Sequence, residues 1–412
     1  MQPIPTGRRA LLLYVLCGGL ILGAALGVRH VQGLFLLPLT QDRGFTRESF
    51  AFAIACQNLM WGLAQPFAGM LADKFGAARV MVGGLLLYAA GLWGMAQAAT
   101  PLQLTLTAGV LVGMAQAGTT FGVVYGALSR MTSLRDRGWA LGLAGAAGGL
   151  GQFVLVPAAQ GLIGALGYAA TLLVLALSLA ALLPAGIALR ERAAPGADAA
   201  QLSMRAAVGE AFAHRGFWLL NAGFLACGFQ LAFIATHLPA YLRDNGLGGR
   251  EAMAGLALIA LTNVIGTYYS GVIGMRWRRK RLLAGLYIAR AAAIALFIAL
   301  PLSPLTLYAF CAVMGFLWLS TVPLTNGIVA QVFGVRYLAT LFGFVFFGHQ
   351  LGAFFGVWMG GLVYEHTHSY QLLWLASIAL GLLAALLHWP IDDREIVRPV
   401  ARDDARALPQ AG

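Results

Sequence analysis

The chain has 412 residues, of which 60% are hydrophobic and only 10% charged. Soluble globular domains carry roughly 25% charged residues, so this chain could not cover itself with a polar surface and lipid must be its solvent. The net charge of +12 would suit nucleic acid, but the strongest basic run, Arg276 to Arg281, is a short loop between two apolar segments. It is too short for a groove-binding surface and reads as a topogenic loop, so no nucleic-acid partner is expected.

A spanning helix needs about 20 mostly apolar residues, and apolar runs of that length recur along the chain. Arg8 and Arg9 precede a run from Ala10 to Leu37, longer than the roughly 7–15 residues of a signal-peptide core, so an uncleaved first span is expected. The spans are placed at 10–38, 47–72, 78–98, 102–128, 137–166 and 168–190, then 216–242, 250–275, 281–300, 305–330, 337–363 and 370–389. The break between the two sets contains Pro195 and Gly196, and Ser203 to Arg215 reads as a short amphipathic helix on the inner face. The expectation is an all-α membrane protein of twelve transmembrane helices in two halves. Residues 1–190 form the first half, 191–215 a cytoplasmic linker, 216–391 the second half and 392–412 a cytoplasmic tail. The halves correspond at an offset near 201, pairing Pro38 with Pro239, Gly84 with Gly285 and Gly142 with Gly343. Paired halves with a site between them are the usual plan of secondary transporters.

The basic residues test this map. Of 27, 21 fall at the termini or in loops after even-numbered spans, and four, Arg43, Arg47, Arg243 and Arg250, lie on the other side. The positive-inside rule then places both termini in the cytoplasm. Arginine outnumbers lysine 25 to 2, a composition that points to a bacterial source and hence to the inner membrane. The four cysteines, Cys17, Cys56, Cys227 and Cys311, lack metal-ligand spacing and read as small hydrophobes.

The remaining two cations, Arg29 and Arg290, lie within hydrophobic stretches long enough to cross a membrane, and none of the 15 acidic residues lies within such a stretch. A charge near the bilayer centre is costly and usually functional. Either backbone and polar side chains satisfy these cations, or the missing negative charge arrives as a substrate.

The loop after the second span reads Gly69-Met-Leu-Ala-Asp73-Lys74-Phe-Gly76-Ala-Ala-Arg79. It resembles the G-x-x-x-D-[RK]-x-G signature of the major facilitator superfamily, where this loop is a conformational latch. The family's basic pair after the second glycine is replaced by Ala77 and Ala78, and the matching loop, Gly271 to Lys280, has Met275 where the acid would stand. The stretch from Arg29 through Gly33 and Phe35 to Pro38, with Asp42 and Gly44 after it, resembles the monocarboxylate-porter and oxalate–formate-antiporter branch. So does Arg137-Gly-Trp-Ala-Leu-Gly142. The resemblance implies transport of small organic anions, often with a proton. Members of that branch often carry a substrate-binding arginine in the eighth span, where this chain has Asn263 and Thr267. Some carry a lysine in the eleventh, where the nearest polar residue is His349.

Candidate substrate-binding residues are therefore Arg29 with Gln32 on the same helix face, Gln116, Thr120 and Tyr125 on the fourth span, and His237, Asn263, Asn326 and His349. Arginine can grip a carboxylate with a bidentate fork, although Arg29 is also placed to snorkel to the interface. Histidine can donate, accept or carry a proton, although a buried histidine can be packed and satisfied. Tyr125 and Asn326 correspond at the 201 offset and form a plausible pair. Arg290 lies on a span that the resemblance implies is peripheral, and its role is open between structure and substrate binding or gating. His366 and His368 read as solvated loop residues.

There is no phosphate-cradling loop and no metal cluster, so neither an enzyme, a cofactor nor a metal site is expected. The leading expectation is a secondary carrier of small organic anions, monocarboxylates by the resemblance, working by alternating access with protons as a candidate coupling ion. The alternatives are a multidrug-type efflux carrier for hydrophobic or cationic compounds, of which cationic cargo would favour embedded acids and neutral cargo would not, and a non-transporting membrane sensor, which would favour a large soluble appendage.

Overall fold

The computed structural model describes residues 8–190 and 203–396; most of the linker (191–202) and of the tail (397–412) lies outside the described residues. Each of the twelve expected segments is helical. α1 runs Arg8–Val31, tightens through a 3₁₀ turn at Gln32–Phe35 and continues as Leu36–Arg43. α2 is Arg47–Phe75, α3 Ala77–Gln97 and α4 Pro101–Met131. A long helix from Leu134 is turned at Gly167 (φ 80°, ψ 168°), which divides it into α5 and α6. Only glycine enters that backbone region without strain, so one residue separates the two passes. In the second half, α7 is Arg215–Asp244, α8 Gly249–Ile273, α9 Arg279–Ala299, α10 Pro304–Phe333, α11 Leu338–Thr367 and α12 Gln371–His388. The expected amphipathic linker helix is Met204–Ala213, capped by Ser203.

Among the described residues, ten stretches are long and apolar enough to cross a membrane. One of them, Leu134–Ala188, contains the turn at Gly167. α2 is not among the ten although it has 29 residues. It carries Gln57, Asn58 and Gln65, and these amides form part of the site described below.

Lipid supplies no hydrophobic force between helices, so small residues at the contacts let backbones pack closely. A Cβ on Gly151 of α5 would stand 2.0 Å from the Gly23 carbonyl oxygen of α1. On another face of α5, a Cβ on Gly142 would meet the Tyr268 carbonyl of α8 at 2.8 Å. The glycine run from 142 to 151 thus serves two partners, one within its half and one across the molecule. The halves meet along α5 with α8 and α2 with α11.

α4 and α10 are not continuous. α4 contains a π-helical stretch at Thr105–Leu111 and breaks at Thr120 (φ −116°, ψ −161°). α10 stops at Leu317 and restarts at Thr321. The two breaks occupy corresponding positions at the 201 offset, and nothing in the apolar pattern announced either.

Candidate functional site

α1, α2 and α11 bring together the two residues on which the sequence places most weight. Arg29 is half-buried and donates through one terminal nitrogen to the Asn58 side-chain oxygen. Its guanidinium also lies 5.0 Å over the Trp61 ring, a cation–π contact. Asn58 and Trp61 sit three residues apart on one face of α2. Across the boundary between halves, Gln350 Nε2 donates to the Asn58 carbonyl at 3.3 Å, and the Trp61 ring meets Phe346 at 4.9 Å. His349 Nδ1 pairs with Gln350 Oε1 at 3.1 Å, and its ring stacks on Phe346 at 5.3 Å. A continuous chain of contacts therefore joins Arg29 of the first half to His349 of the second.

This cluster keeps unused polar capacity. The Arg29 Nε and both amide atoms of Gln32 are buried and have no hydrogen-bond partner. Buried polar groups are ordinarily satisfied, and each orphan costs about 1–3 kcal/mol. Arg29 spends its recorded side-chain bond on a neutral amide, so its charge is not compensated there.

Gln116 belongs to a network internal to the first half. Its Nε2 donates to Tyr88 Oη at 3.2 Å and to Gln57 Oε1 at 3.5 Å, while its Oε1 is unbonded. Thr120 Oγ1 bonds back to the Gln116 carbonyl at 2.6 Å and accepts from Trp61 Nε1 at 3.1 Å. Gln65 Nε2 donates to the Ala117 carbonyl at 3.0 Å. Side chains of α2 thus close the break in α4 beside the Arg29 cluster.

A second polar group lies where α4, α8 and α10 approach. Asn263 Oδ1 accepts from Thr267 Oγ1 at 2.9 Å and from the Leu319 amide at 3.0 Å, holding the break in α10, and its Nδ2 is unbonded. Tyr125 Oη and both side-chain polar atoms of Asn326 are buried without partners. The expected Tyr125–Asn326 pair is therefore not hydrogen-bonded. Tyr125 instead packs edge-on against Phe121 at 5.4 Å, and Gly145 leaves room for its hydroxyl beside the Thr267 methyl.

Two candidates are placed elsewhere. His237 bonds the Val357 carbonyl at 3.0 Å and packs between Phe233 and Tyr370, tying α7 to α11. Arg290 is completely buried and braces the break in α10. It donates to the Leu317 carbonyl at 2.5 and 3.2 Å, to the Trp318 carbonyl at 2.5 Å and to Cys227 Sγ at 3.1 Å. These bonds satisfy carbonyls that an interrupted helix frees and that the bilayer cannot solvate. Cys227, read as a small hydrophobe, also lies 3.4 Å from Thr321 Oγ1 and joins this brace.

The latch residues also separate. Asp73 Oδ1 accepts from Arg130 at 2.6 Å, and its Oδ2 accepts from the Thr340 amide and hydroxyl, both at 2.7 Å. Thr340 belongs to the opposite half. A Cβ on Gly69 would stand 2.3 Å from the Ala339 carbonyl, and Gly76 turns the chain at φ 95°. Arg79 is exposed and contributes no recorded bond. In the second half, Arg279 donates to Gln331 Oε1 within its own half, and Met275 lies against Gly138. The acid at Asp73 thus bonds across to the other half, whereas Met275 at the matching position offers no carboxylate.

Sequence reasoning passed over Asn58, Trp61 and Gln65. The signal was present as three amides and a tryptophan inside a span-length segment, which lowers its hydropathy below that of its neighbours.

Among known proteins, the model of the Major Facilitator Superfamily matches residues 15–357, with a second match at 275–411. The chain is 30% identical to mouse monocarboxylate transporter 11 over 60% of its own length and 56% of that protein's. It is 24% identical to the oxalate:formate antiporter of Oxalobacter formigenes, over 85% of this chain and 84% of that one. Its fold is similar to that of the Escherichia coli fucose:proton symporter FucP, with a TM-score of 0.68 at 18% identity, covering 92% and 98% of the two chains. The chain belongs to the Major Facilitator Superfamily and is a multi-pass membrane transporter rather than an enzyme.

Proposed function

We propose that the protein is a secondary carrier of small organic anions, monocarboxylates foremost, and that Arg29 holds the carboxylate. The observation that carries this reading is the unpaired capacity at Arg29 and Gln32. A half-buried guanidinium with a neutral partner, beside a buried amide with no partner, suits an incoming acceptor with negative charge. The relatives named for monocarboxylate and oxalate–formate transport support the same cargo class.

His349 is the proposed contact from the second half, with Asn263, Tyr125 and Asn326 offering further free polar atoms. Alternating access would rock residues 1–190 against 216–391, with Gly69, Asp73 and Gly76 latching one end. By the positive-inside rule that end and both termini face the cytoplasm of an inner membrane. No acid lies beside Arg29 in its recorded bonds, so a coupled proton would travel on His349 or on the cargo's own carboxylate.

Uptake of labelled monocarboxylates into proteoliposomes, with and without a pH gradient, tests the reading. The expected result is saturable uptake that Arg29→Gln weakens about 10- to 100-fold in apparent affinity, the worth of one charge-assisted bond. Flux of a lipophilic dye with no acid uptake would overturn it in favour of an efflux carrier.

A further inference from the structure

A cavity lies on the flank where the halves meet, with none of the Arg29-cluster residues in its lining. It has a volume of about 540 Å³ and is walled by Phe67 and Met70 of α2, Phe212 of the linker helix, Trp218 and Leu225 of α7, and Phe347 of α11. Asn221 is the one polar side chain in its lining. Along α2 its lining runs from Leu63 to Met70 and along α7 from Phe217 to Leu225, on the order of 10–12 Å at 1.5 Å per residue. The cavity is thus a groove that runs along the helices. Phe67, Phe212 and Trp218 are all exposed, so it opens to the lipid side.

The groove has charge at only one end. α2 ends, and α7 begins, at the latch end. Lys74 follows Met70 by four residues and Arg215 precedes Trp218 by three, so each cation lies on the groove face of its helix. Both are exposed. The Lys74 ammonium sits 5.2 Å over the Phe75 ring. The neighbouring carboxylate, Asp73, is held by Arg130 and Thr340. An apolar slot with an exposed cation one turn beyond its lining on each of two helices matches a molecule with a long hydrocarbon tail and an anionic head.

We propose that this groove is a binding site for one anionic phospholipid, its acyl chain in the slot and its phosphate between Lys74 and Arg215. The site draws walls from both halves and from the linker helix. A bound chain would therefore wedge against α2 and α11, the helices that must shift when the latch opens. The inference does not depend on the cargo proposed above.

Native mass spectrometry of the full chain in detergent, given either phosphatidylglycerol or phosphatidylcholine, tests it. The expected result is retention of one phosphatidylglycerol per chain in preference to phosphatidylcholine. A Lys74→Gln, Arg215→Gln double variant should bind phosphatidylglycerol on the order of tenfold more weakly, since each surface cation contributes to anionic-lipid binding. Ala222→Trp, which adds bulk to the groove wall and leaves both cations in the sequence, should displace both lipids. Thermal unfolding in lipid-free detergent checks that each variant folds. Equal retention of the two lipids, or phosphatidylglycerol retention untouched by the double variant, would overturn the proposal and leave only an unspecific lipid annulus.

Discussion

The Asp73 carboxylate reaches from α2 into the opposite half and accepts both the backbone amide and the hydroxyl of Thr340 at 2.7 Å. The same carboxylate neutralises Arg130 of its own half. One side chain thus satisfies a cation within its own half and holds the first turn of α11 in the other, and only the two bonds to Thr340 cross between the halves.

Asp73→Asn should therefore loosen the contact between the halves at this end without unfolding the protein. Hydrogen bonds to charged groups are worth about 1.5–3 kcal/mol, so a loss of roughly 2 kcal/mol would shift the ratio of closed to open forms about 30-fold. Spin labels at Leu134 and Trp277, exposed positions in opposite halves near that end, report the separation. A distance distribution identical to that of the parent would count against the latch.

Packing makes a contrasting prediction. Gly151→Ala places a methyl 2.0 Å from the Gly23 carbonyl oxygen, whereas Gly161→Ala meets nothing within 4 Å. Overpacking typically costs about 1–3 kcal/mol. The first variant should unfold at a lower temperature in detergent and the second at the parent's. Equal melting temperatures would show that α1 and α5 yield easily.

Arg290→Met should impair folding more than it impairs cargo recognition. It leaves the Leu317 and Trp318 carbonyls without the donors they now have. Each orphaned buried group costs about 1–3 kcal/mol, and the bilayer offers no substitute. The expected signature is a reduced yield and melting temperature with an apparent affinity per folded molecule close to the parent's. The reverse pattern would return Arg290 to the binding site.

Trp61 separates two contributions at the Arg29 cluster. Trp61→Phe keeps a ring for Arg29 and Phe346 but removes the donor to Thr120 and Gln65. Trp61→Ala removes both. Measured as apparent affinity for the proposed acid cargo, the phenylalanine variant should lose a few-fold. The alanine variant should lose about tenfold, since a cation–π contact contributes roughly 0.5–2 kcal/mol. Identical losses would mean that the ring is not what positions Arg29.

The spans were legible in the sequence because each is an apolar run long enough for a bilayer, and their helices stand where those runs are. The loop motif was legible because Gly69, Asp73 and Gly76 keep its spacing. The breaks in α4 and α10 were not. Thr120 and Ser320 are ordinary span residues, and what holds each break lies on other helices: Gln65 and Trp61 for one, Arg290 and Asn263 for the other. Arg290 read as an embedded charge of open role, and its bonds to the unwound backbone of α10 were not legible because that break was not. Arg29 and His349 were named separately. Their connection runs through Asn58, Gln350, Trp61 and Phe346, residues from helices distant in sequence.

The two helix breaks also have an electrical consequence. An interrupted helix ends twice in mid-membrane, once with the negative pole of its dipole and once with the positive pole of the next segment. Here the negative ends are covered, by Gln65 on the Ala117 carbonyl and by Arg290 on the Leu317 and Trp318 carbonyls. The positive ends, at Phe121 and Thr321, begin segments of 11 and 13 residues. The backbone itself then gives the interior a positive bias that no single side chain carries. Residual uptake by Arg29→Gln should still prefer an acid over its uncharged amide, and loss of that preference would show that Arg29 alone sets the sign of the cargo.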